Sequence, residues 1–566
     1  MTKLMENLLS KILAFSEQNQ RTVTQINVCK ELSTSIRKFH WKTKTLQNSL
    51  TNSLKKLTEK QTIVLETAHQ PNFLPYSGIF KKVILLEHIA RSLEKKGCSV
   101  VCLFSIVDTD FADDEWFASN RFPHLSTSGY LKVGIKIAKK DRKKCMYAIQ
   151  KPSQETWENI VKHIQTHYET CLGELEREFS SQNISDFKQS IEIPFQKKWS
   201  DLVDLLEDAY QNAENFADMN AIILSKIIND LMNCSTVFFK YSDGLNAFEE
   251  SFSRLLSCST DYITLYNRFA DQYNLDKILK DYAPFWYHCK SCEGKVPLQQ
   301  RGNQLEEKCL SCKTSYSFDF KSQENPNLSG IAKRISPRAI PRHYITFDGL
   351  GVSFYAGGQA GSLYTSIAEK IAGIIDFRFP PIFTWFNKDH YTGVLQFNAY
   401  SQIHRVLKLN SYNQFLLKYG ELNTQTIREV EELNHQIESW ESEKNSLKNN
   451  LSELENKTIR NQIISNLREI SNNEKKLKTK IQQTEHKITV LNNSVKSFRI
   501  FPSIIDYLVN MDALSIAEQW HLFLSNTEPP FAQPQFLKTV FSKFLRSKFS
   551  WCIDIENNVE HIASLM

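Results

Sequence analysis

At 566 residues the chain is too long for one hydrophobic core and points to two to four lobes. A hydrophobic share of 41% is that of a globular protein, and a net charge of +6, from 69 Lys and Arg against 63 Asp and Glu, is too slight to make nucleic acid a partner. No apolar run approaches the roughly 20 residues needed to span a bilayer and the N-terminus lacks the apolar core of a signal peptide, so a cytoplasmic location without membrane contact is expected.

Residues 1–60 read as a helical preamble, with Met5 to Phe15 amphipathic and Leu32 to Leu57 at irregular helical spacing. Residues 61–150 carry the first half of a parallel sheet. Ile63-Val64-Leu65 is a short β-branched run that empties into Thr67-Ala68-His69-Gln70-Pro71-Asn72-Phe73-Leu74-Pro75-Tyr76-Ser77-Gly78, where two prolines forbid regular structure. Helical spacing follows from Ile79 to Lys95. Cys98 to Val107 is apolar at nearly every position, as a strand covered on both faces should be, and Asp108-Thr109-Asp110 comes next. Strand, helix and strand make a βαβ unit, and such sheets bind ligands beyond the carboxyl ends of their strands. His69, Asn72, Asp108 and Asp110 are therefore placed at that crevice.

Tyr130 to Ile137 reads as a strand, and residues 151–285 as a mainly helical insertion that contains one more strand, Ser235 to Tyr241. Its exit turn, Ser242-Asp243-Gly244-Leu245-Asn246, is either a plain turn or a ligand contact. Residues 286–325 hold Cys289-Lys290-Ser291-Cys292 and Cys309-Leu310-Ser311-Cys312, two C-x-x-C knuckles sixteen residues apart. Each knuckle offers two thiolates from one tight turn, so Cys289, Cys292, Cys309 and Cys312 can close a tetrahedron around zinc. Four protein ligands leave no open position, which makes the expected zinc ribbon structural. The other cysteines among the 12 sit in apolar segments as buried thiols.

Residues 326–415 read as the second half of the sheet. Ser336-Pro337-Arg338-Ala339-Ile340-Pro341-Arg342 leads to the strand Gly351 to Ala356, the turn Gly357-Gly358-Gln359-Ala360-Gly361, a helix to Ile375 and the strand Pro381 to Phe386. A glycine turn between strand and helix lets backbone N–H groups approach an anion, although glycines also serve simply for tight turns. Residues 416–500 contain neither proline nor glycine from Glu421 to Phe498, and their apolar residues keep heptad spacing in two series, Val430 to Leu454 and Ile463 to Val495. Two antiparallel helices of about 35 residues, reversing at Glu455-Asn456-Lys457-Thr458 and projecting about 50 Å, are expected, with one long helix as the alternative. Residues 501–566 read as a compact helical segment. The fold class is thus α/β: a split Rossmann-like parallel core with helical insertions, a zinc ribbon and a coiled-coil hairpin.

This succession resembles the cysteine-adding ligases of bacillithiol biosynthesis. The resemblance rests on the preamble leading into the first loop, on Ile106-Val107-Asp108-Thr109-Asp110-Phe111, on Ser336-Pro337 and Arg342 ahead of Tyr355-Ala356-Gly357-Gly358-Gln359-Ala360, and on the hairpin followed by Phe501 to Leu514. Departures are His69 and Asn72 in a loop that the family writes as T-G-Q-Q, Thr109 in place of histidine, Gly361 in place of glutamate, and the cysteine knuckles. His69-Gln70-Pro71-Asn72 with Leu74, Pro75 and Gly78 is closer to the first loop of the WbqC-like family.

The resemblance implies amide-bond formation between cysteine and an amino-sugar conjugate such as glucosaminyl malate, with ATP or ADP and Mg as nucleotide partners. On the residues themselves, His69 and Asn72 suit phosphate or carboxylate contacts, Asp108 and Asp110 an ammonium group or a metal-nucleotide, and Arg338 or Arg342 an anionic substrate group. Gln70, Gly357, Gly358, Gln359 and Tyr364 complete the expected substrate-binding set. A homodimer through the coiled coil is expected. Two other classes stay open: a nucleotidyl- or sugar-modifying enzyme of the WbqC-like kind, and a binding module for nucleic acid or protein built on ribbon and coiled coil. Interleaved Lys and Glu along the hairpin argue against nucleic acid.

Overall fold

A computed structural model describes residues 2–124, 129–177, 188–358, 361–385, 393–396, 398–399, 412–452, 456–498, 500, 503–510 and 512–525. Twelve strands are present among them: β1 Ile63–His69, β2 Val100–Ile106, β3 Ser119–His124, β4 Gly129–Gly134, β5 Val237–Lys240, β6 Tyr282–His288, β7 Lys295–Arg301, β8 Gln304–Lys308, β9 Ser315–Asp319, β10 Ile335–Pro337, β11 Val352–Gly358 and β12 Ile382–Trp385. The long apolar run becomes β2, whose seven residues are all buried. Chain covers it on both faces, which is why no polar alternation marks it.

The principal sheet runs β12-β11-β1-β2-β5 with every pairing parallel. Counted along the chain, its strands stand fifth, fourth, first, second, third, so the winding reverses between β1 and β11. That is the doubly wound order, and its ligand crevice lies where the order switches. One face packs Leu65, Cys102, Phe104 and Ile106 against the helix Ser77–Glu94. The other packs Val64, Val101, Leu103, Val237 and Phe239 against the helices Val23–Lys42, Asn48–Leu57 and Ala339–Leu350. The stretch read as a helical insertion thus gives β5 to the edge of this sheet.

The antiparallel sheet β10-β6-β7-β8-β9 carries both cysteine knuckles at its strand ends. Phe285, Tyr287, Val296, Leu298 and Leu305 bury their side chains in the same core as the second face of the parallel sheet. Its edge strand β10 leads within two residues into the helix Ala339–Leu350, the bearer of Arg342. The second sheet therefore adjoins the element that carries Arg342.

Toward the C-terminus two long helices, Tyr412–Ser452 and Lys457–Phe498, lie side by side. Leu433 and Ile437 of the first bury against Leu477 and Ile481 of the second. Ion pairs Lys444–Glu474 at 2.9 Å and Lys480–Glu429 at 3.2 Å link positions that run in opposite directions along the chain, so the helices are antiparallel. Asn456 Oδ1 caps the second by accepting from Thr458 N at 3.0 Å. At about 1.5 Å per residue each helix is about 60 Å long. The returning helix docks on β3 and β4, where Ser497 Oγ donates to Gly129 O.

Candidate functional site

The first loop leaves the end of β1 and is fixed by the rest of the chain. Its prolines keep it out of helix and sheet, so its carbonyls need partners from elsewhere. Pro71 O accepts from Asn220 Nδ2 at 2.9 Å, Phe73 O from Asn120 Nδ2 at 3.3 Å, and Leu74 O from Ser503 Oγ at 2.9 Å. Pro75 O accepts from Ile504 N at 2.8 Å, and Phe73 N donates to Trp116 O at 2.9 Å. Phe73 is stacked on Phe216 with ring centres 5.7 Å apart. Leu74, fully buried, is held at φ +43°, a left-handed conformation that costs on the order of 1–3 kcal/mol and persists only where surroundings enforce it.

That clamp positions His69, Gln70, Asn72 and Tyr76. His69 Nε2 lies 3.3 Å from the Tyr76 hydroxyl and Nδ1 3.1 Å from Gln70 O. Burial and the nearby Lys82 push its imidazole down to about 3, so the ring is neutral at physiological pH. Lys82, on the first turns of the helix Ser77–Glu94, donates to Ala68 O at 3.0 Å, and burial brings its amine down to about 7. Asn72 is 4% exposed and its Oδ1 has no hydrogen-bond partner among the described residues.

Asp110 stands across from this group. Arg342 Nη2 lies 2.5 Å from its Oδ1, Gln70 Nε2 donates to its Oδ2 at 3.1 Å, and Lys295 Nζ is 3.7 Å from Oδ1. Burial raises the carboxyl, but Arg342 and Lys295 outweigh it and hold Asp110 below the usual carboxylate range. Asp108 faces β5 instead. Ser242 N donates to its Oδ1 at 3.0 Å and Ser242 Oγ to its Oδ2, while burial, partly offset by Lys240, pushes this carboxyl up to about 7. The turn after β5 thus contacts the acidic loop.

Opposite the first loop, β11 ends in Gly357 and Gly358, paired with Thr384 and Trp385 of β12. A Cβ on Gly358 would meet nothing within 4 Å among the described residues. Gln359 lies outside the described residues. Tyr364 is 45% exposed and sits beside Tyr266, away from the charge cluster. Arg338 also turns away: its guanidinium lies 4.2 Å from the Tyr282 ring centre and 4.6 Å from that of Trp286, and it donates to Leu298 O. Of the two candidate arginines, Arg342 is the one brought to the site.

Lys82, Tyr76 and Lys295 went unread in the sequence, and so did Glu66. Glu66 lies in the middle of β1, fully buried, accepting from Ser105 Oγ at 2.5 Å, with Oε2 lacking a partner among the described residues. Burial pushes its carboxyl up to about 8, so it holds its proton at neutral pH.

In the second sheet the sulfurs of Cys289, Cys292, Cys309 and Cys312 all lie within 4.8 Å of one another, a set that can hold a metal ion such as zinc. The pairs Cys289–Cys312 and Cys292–Cys309 are 3.4 and 3.6 Å apart, against about 3.8 Å for sulfurs tetrahedral around zinc at about 2.3 Å. The knuckles repeat one backbone pattern. Cys289 N bonds Gly294 O and Glu293 N bonds Cys289 O, just as Cys309 N bonds Thr314 O and Lys313 N bonds Cys309 O. Glu293 and Lys313, one past each knuckle, share φ +57° and +63°. Sequence spacing predicts this convergence.

Among the described residues no helix is long and apolar enough to cross a membrane. No protein-family model matches the chain, and no curated protein is similar enough to stand as a relative.

Proposed function

We propose that the chain is an enzyme of the cysteine-adding type, a ligase that forms an amide bond between cysteine, or a similar amino acid, and an amino-sugar conjugate such as glucosaminyl malate in low-molecular-weight thiol biosynthesis. The observation that carries this reading is the pairing, at the switch point of the sheet, of a neutral imidazole with a cluster of cations. Arg342, with Lys295 behind it, suits a substrate carboxylate, for which guanidinium offers a forked set of donors. His69 is neutral and, with Tyr76 fixing the ring, suits an uncharged hydrogen bond to the phosphate or carboxylate group of the substrate. The sealed Oδ1 of Asn72 is an acceptor suited to a donor-rich amino group. Bound ATP or ADP with Mg would supply activation of the carboxyl group.

Cys289, Cys292, Cys309 and Cys312 would hold a structural zinc, making the second sheet a zinc ribbon. The two long helices are read as a coiled-coil hairpin that pairs two copies in a homodimer, and the chain as a cytoplasmic protein. The observation that favours a second reading, a WbqC-like nucleotidyl- or sugar-modifying enzyme, is the clamped loop itself. His69, Gln70, Pro71 and Asn72 each hold a distinct place in it.

The deciding experiment incubates purified chain with cysteine, glucosaminyl malate and ATP-Mg, omitting each in turn, and reads products by mass spectrometry. A cysteine-dependent mass gain on the amino sugar is expected. Nucleotide bound or cleaved without that product would overturn the cysteine-adding reading in favour of the second.

A further inference from the structure

The cysteine cluster and the charge cluster at the strand ends are joined through a single strap, residues 143–147. Along one edge the strap carries the first knuckle: Cys145 N donates to Glu293 O at 3.2 Å, Lys295 N donates to Lys143 O at 2.9 Å, and Lys144 and Gly294 form an antiparallel bridge. The Tyr147 hydroxyl donates to Glu293 Oε2 at 3.1 Å and lies 3.1 Å from His288 Nδ1. Along its other edge the strap carries the acidic loop. Met146 N donates to Asp110 O at 2.9 Å, Tyr147 N to Asp108 O at 3.0 Å, and Ala112 N to Lys144 O at 3.0 Å.

Lys295, three residues past Cys292, closes the circuit. Its side chain is 2% exposed, with the ammonium 3.7 Å from Asp110 Oδ1, 4.6 Å from the centre of the Phe111 ring and 5.3 Å from that of Trp286. A buried ammonium is costly unless its partners are held in place, and burial indeed lowers this amine. Gly294, which bridges to Lys144 of the strap, is packed tightly against both knuckles: a Cβ there would lie 3.3 Å from Cys292 Sγ and 3.4 Å from Ser311 Oγ.

We infer that metal occupancy of the cysteine cluster sets the position of Lys295, which makes Lys295 a positioning residue for the Asp110–Arg342 pair and makes the metal centre a determinant of the crevice. The inference rests on the zinc reading given above. With the knuckle closed, Lys295 is pinned under Phe111 and shares Asp110 with Arg342. With the sulfurs released, the left-handed turn at Glu293 loses its constraint, the strap loosens, and the ammonium escapes to water. Asp110 then keeps only Arg342 and Gln70.

Amine footprinting tests this on the full chain. Zinc-replete protein, protein stripped by a chelator, and zinc-replete Tyr147→Phe are each pulsed with acetic anhydride, and acetylation is read by mass spectrometry at Lys295, at exposed Lys143, and at Lys81 and Lys82, buried under the parallel sheet. Stripping should raise labelling of Lys295 at least tenfold relative to Lys143 while Lys81 and Lys82 stay protected. Tyr147→Phe, with its zinc retained, should raise Lys295 labelling several-fold, because it removes the strap's side-chain bond to Glu293 without touching a sulfur. Protection of Lys295 in both would overturn the inference. Labelling that spreads to Lys81 and Lys82 on stripping would overturn it too, by making the metal a prop of the whole fold. A purified chain that carries no zinc by elemental analysis would sink the zinc reading itself.

Discussion

Two strand ends flank the switch point, and they differ in how firmly the described residues hold them. The loop after β1 is gripped by bonds from Trp116, Asn120, Asn220, Ser503 and Ile504 and holds Leu74 in a left-handed conformation. The end of β11 presents Gly357 and Gly358, with nothing among the described residues within 4 Å of where a Gly358 side chain would start. Chemistry needs groups held to a fraction of an ångström, whereas a substrate needs room. On the proposed reading the clamped loop is the side for reacting groups and the glycine end the side for substrate.

The sharpest way to break this comparison is His69→Ala. If His69 contacts the reacting phosphate or carboxylate, turnover in the ligation assay should fall by about 10²–10³-fold, equivalent to about 3–4 kcal/mol of barrier. The melting temperature should stay within a few degrees, because His69 is only half-buried and its loop is fixed by backbone bonds. Retained turnover would move the chemistry elsewhere.

Glu66→Gln asks whether the strand beneath both loops is tuned for neutrality. The folded carboxyl titrates near 8 against an unfolded value near 4.5, so the native state binds more protons than the unfolded one between those values. Stability therefore falls as pH rises from about 4.5 to about 8. Glutamine has no proton to lose. At pH 9 the variant should melt several degrees above wild type, with the gap closing toward pH 5 in a calorimetric series. Equal slopes for the two proteins would show that Glu66 ionises without cost.

Asn120→Ala attacks the clamp from outside the site. It strands the buried carbonyl of Phe73 and leaves that of Leu74 with Ser503 alone, a loss of about 1–3 kcal/mol, and should lower the melting temperature together with turnover. Lost stability with full turnover would mean that the clamp is packing alone.

Much of this arrangement was legible. An unbroken apolar run gave β2, proline and asparagine gave the irregular loop, and knuckle spacing gave the cysteine cluster, because each signal is local. What escaped depends on residues distant in sequence. Lys81 and Lys82 look like the wet face of an amphipathic helix, yet the helix lies beneath the sheet with both buried. Glu66 breaks an apolar run and so seemed to end the strand, whereas β1 continues through it because burial keeps it protonated. Arg338 and Arg342 are equivalent in sequence. The aromatic pair Tyr282 and Trp286 captures the first and Asp110 the second, and only the fold tells them apart.

Gly358→Val tests the open side and carries the smallest expected effect. Gly358 sits in β11 without a left-handed φ, so valine fits the backbone, and a β-branched residue suits a strand. With no atom of the described residues within 4 Å of the new Cβ, the melting temperature should hold within about 2 °C. If that space belongs to substrate, the two added methyl groups occupy it in every molecule. KM should then rise about 5- to 10-fold, roughly 1 kcal/mol, with kcat changed far less, since His69 and Tyr76 are untouched. An unchanged KM would mean that substrate does not approach the glycine end, and that the clamped loop alone forms the site.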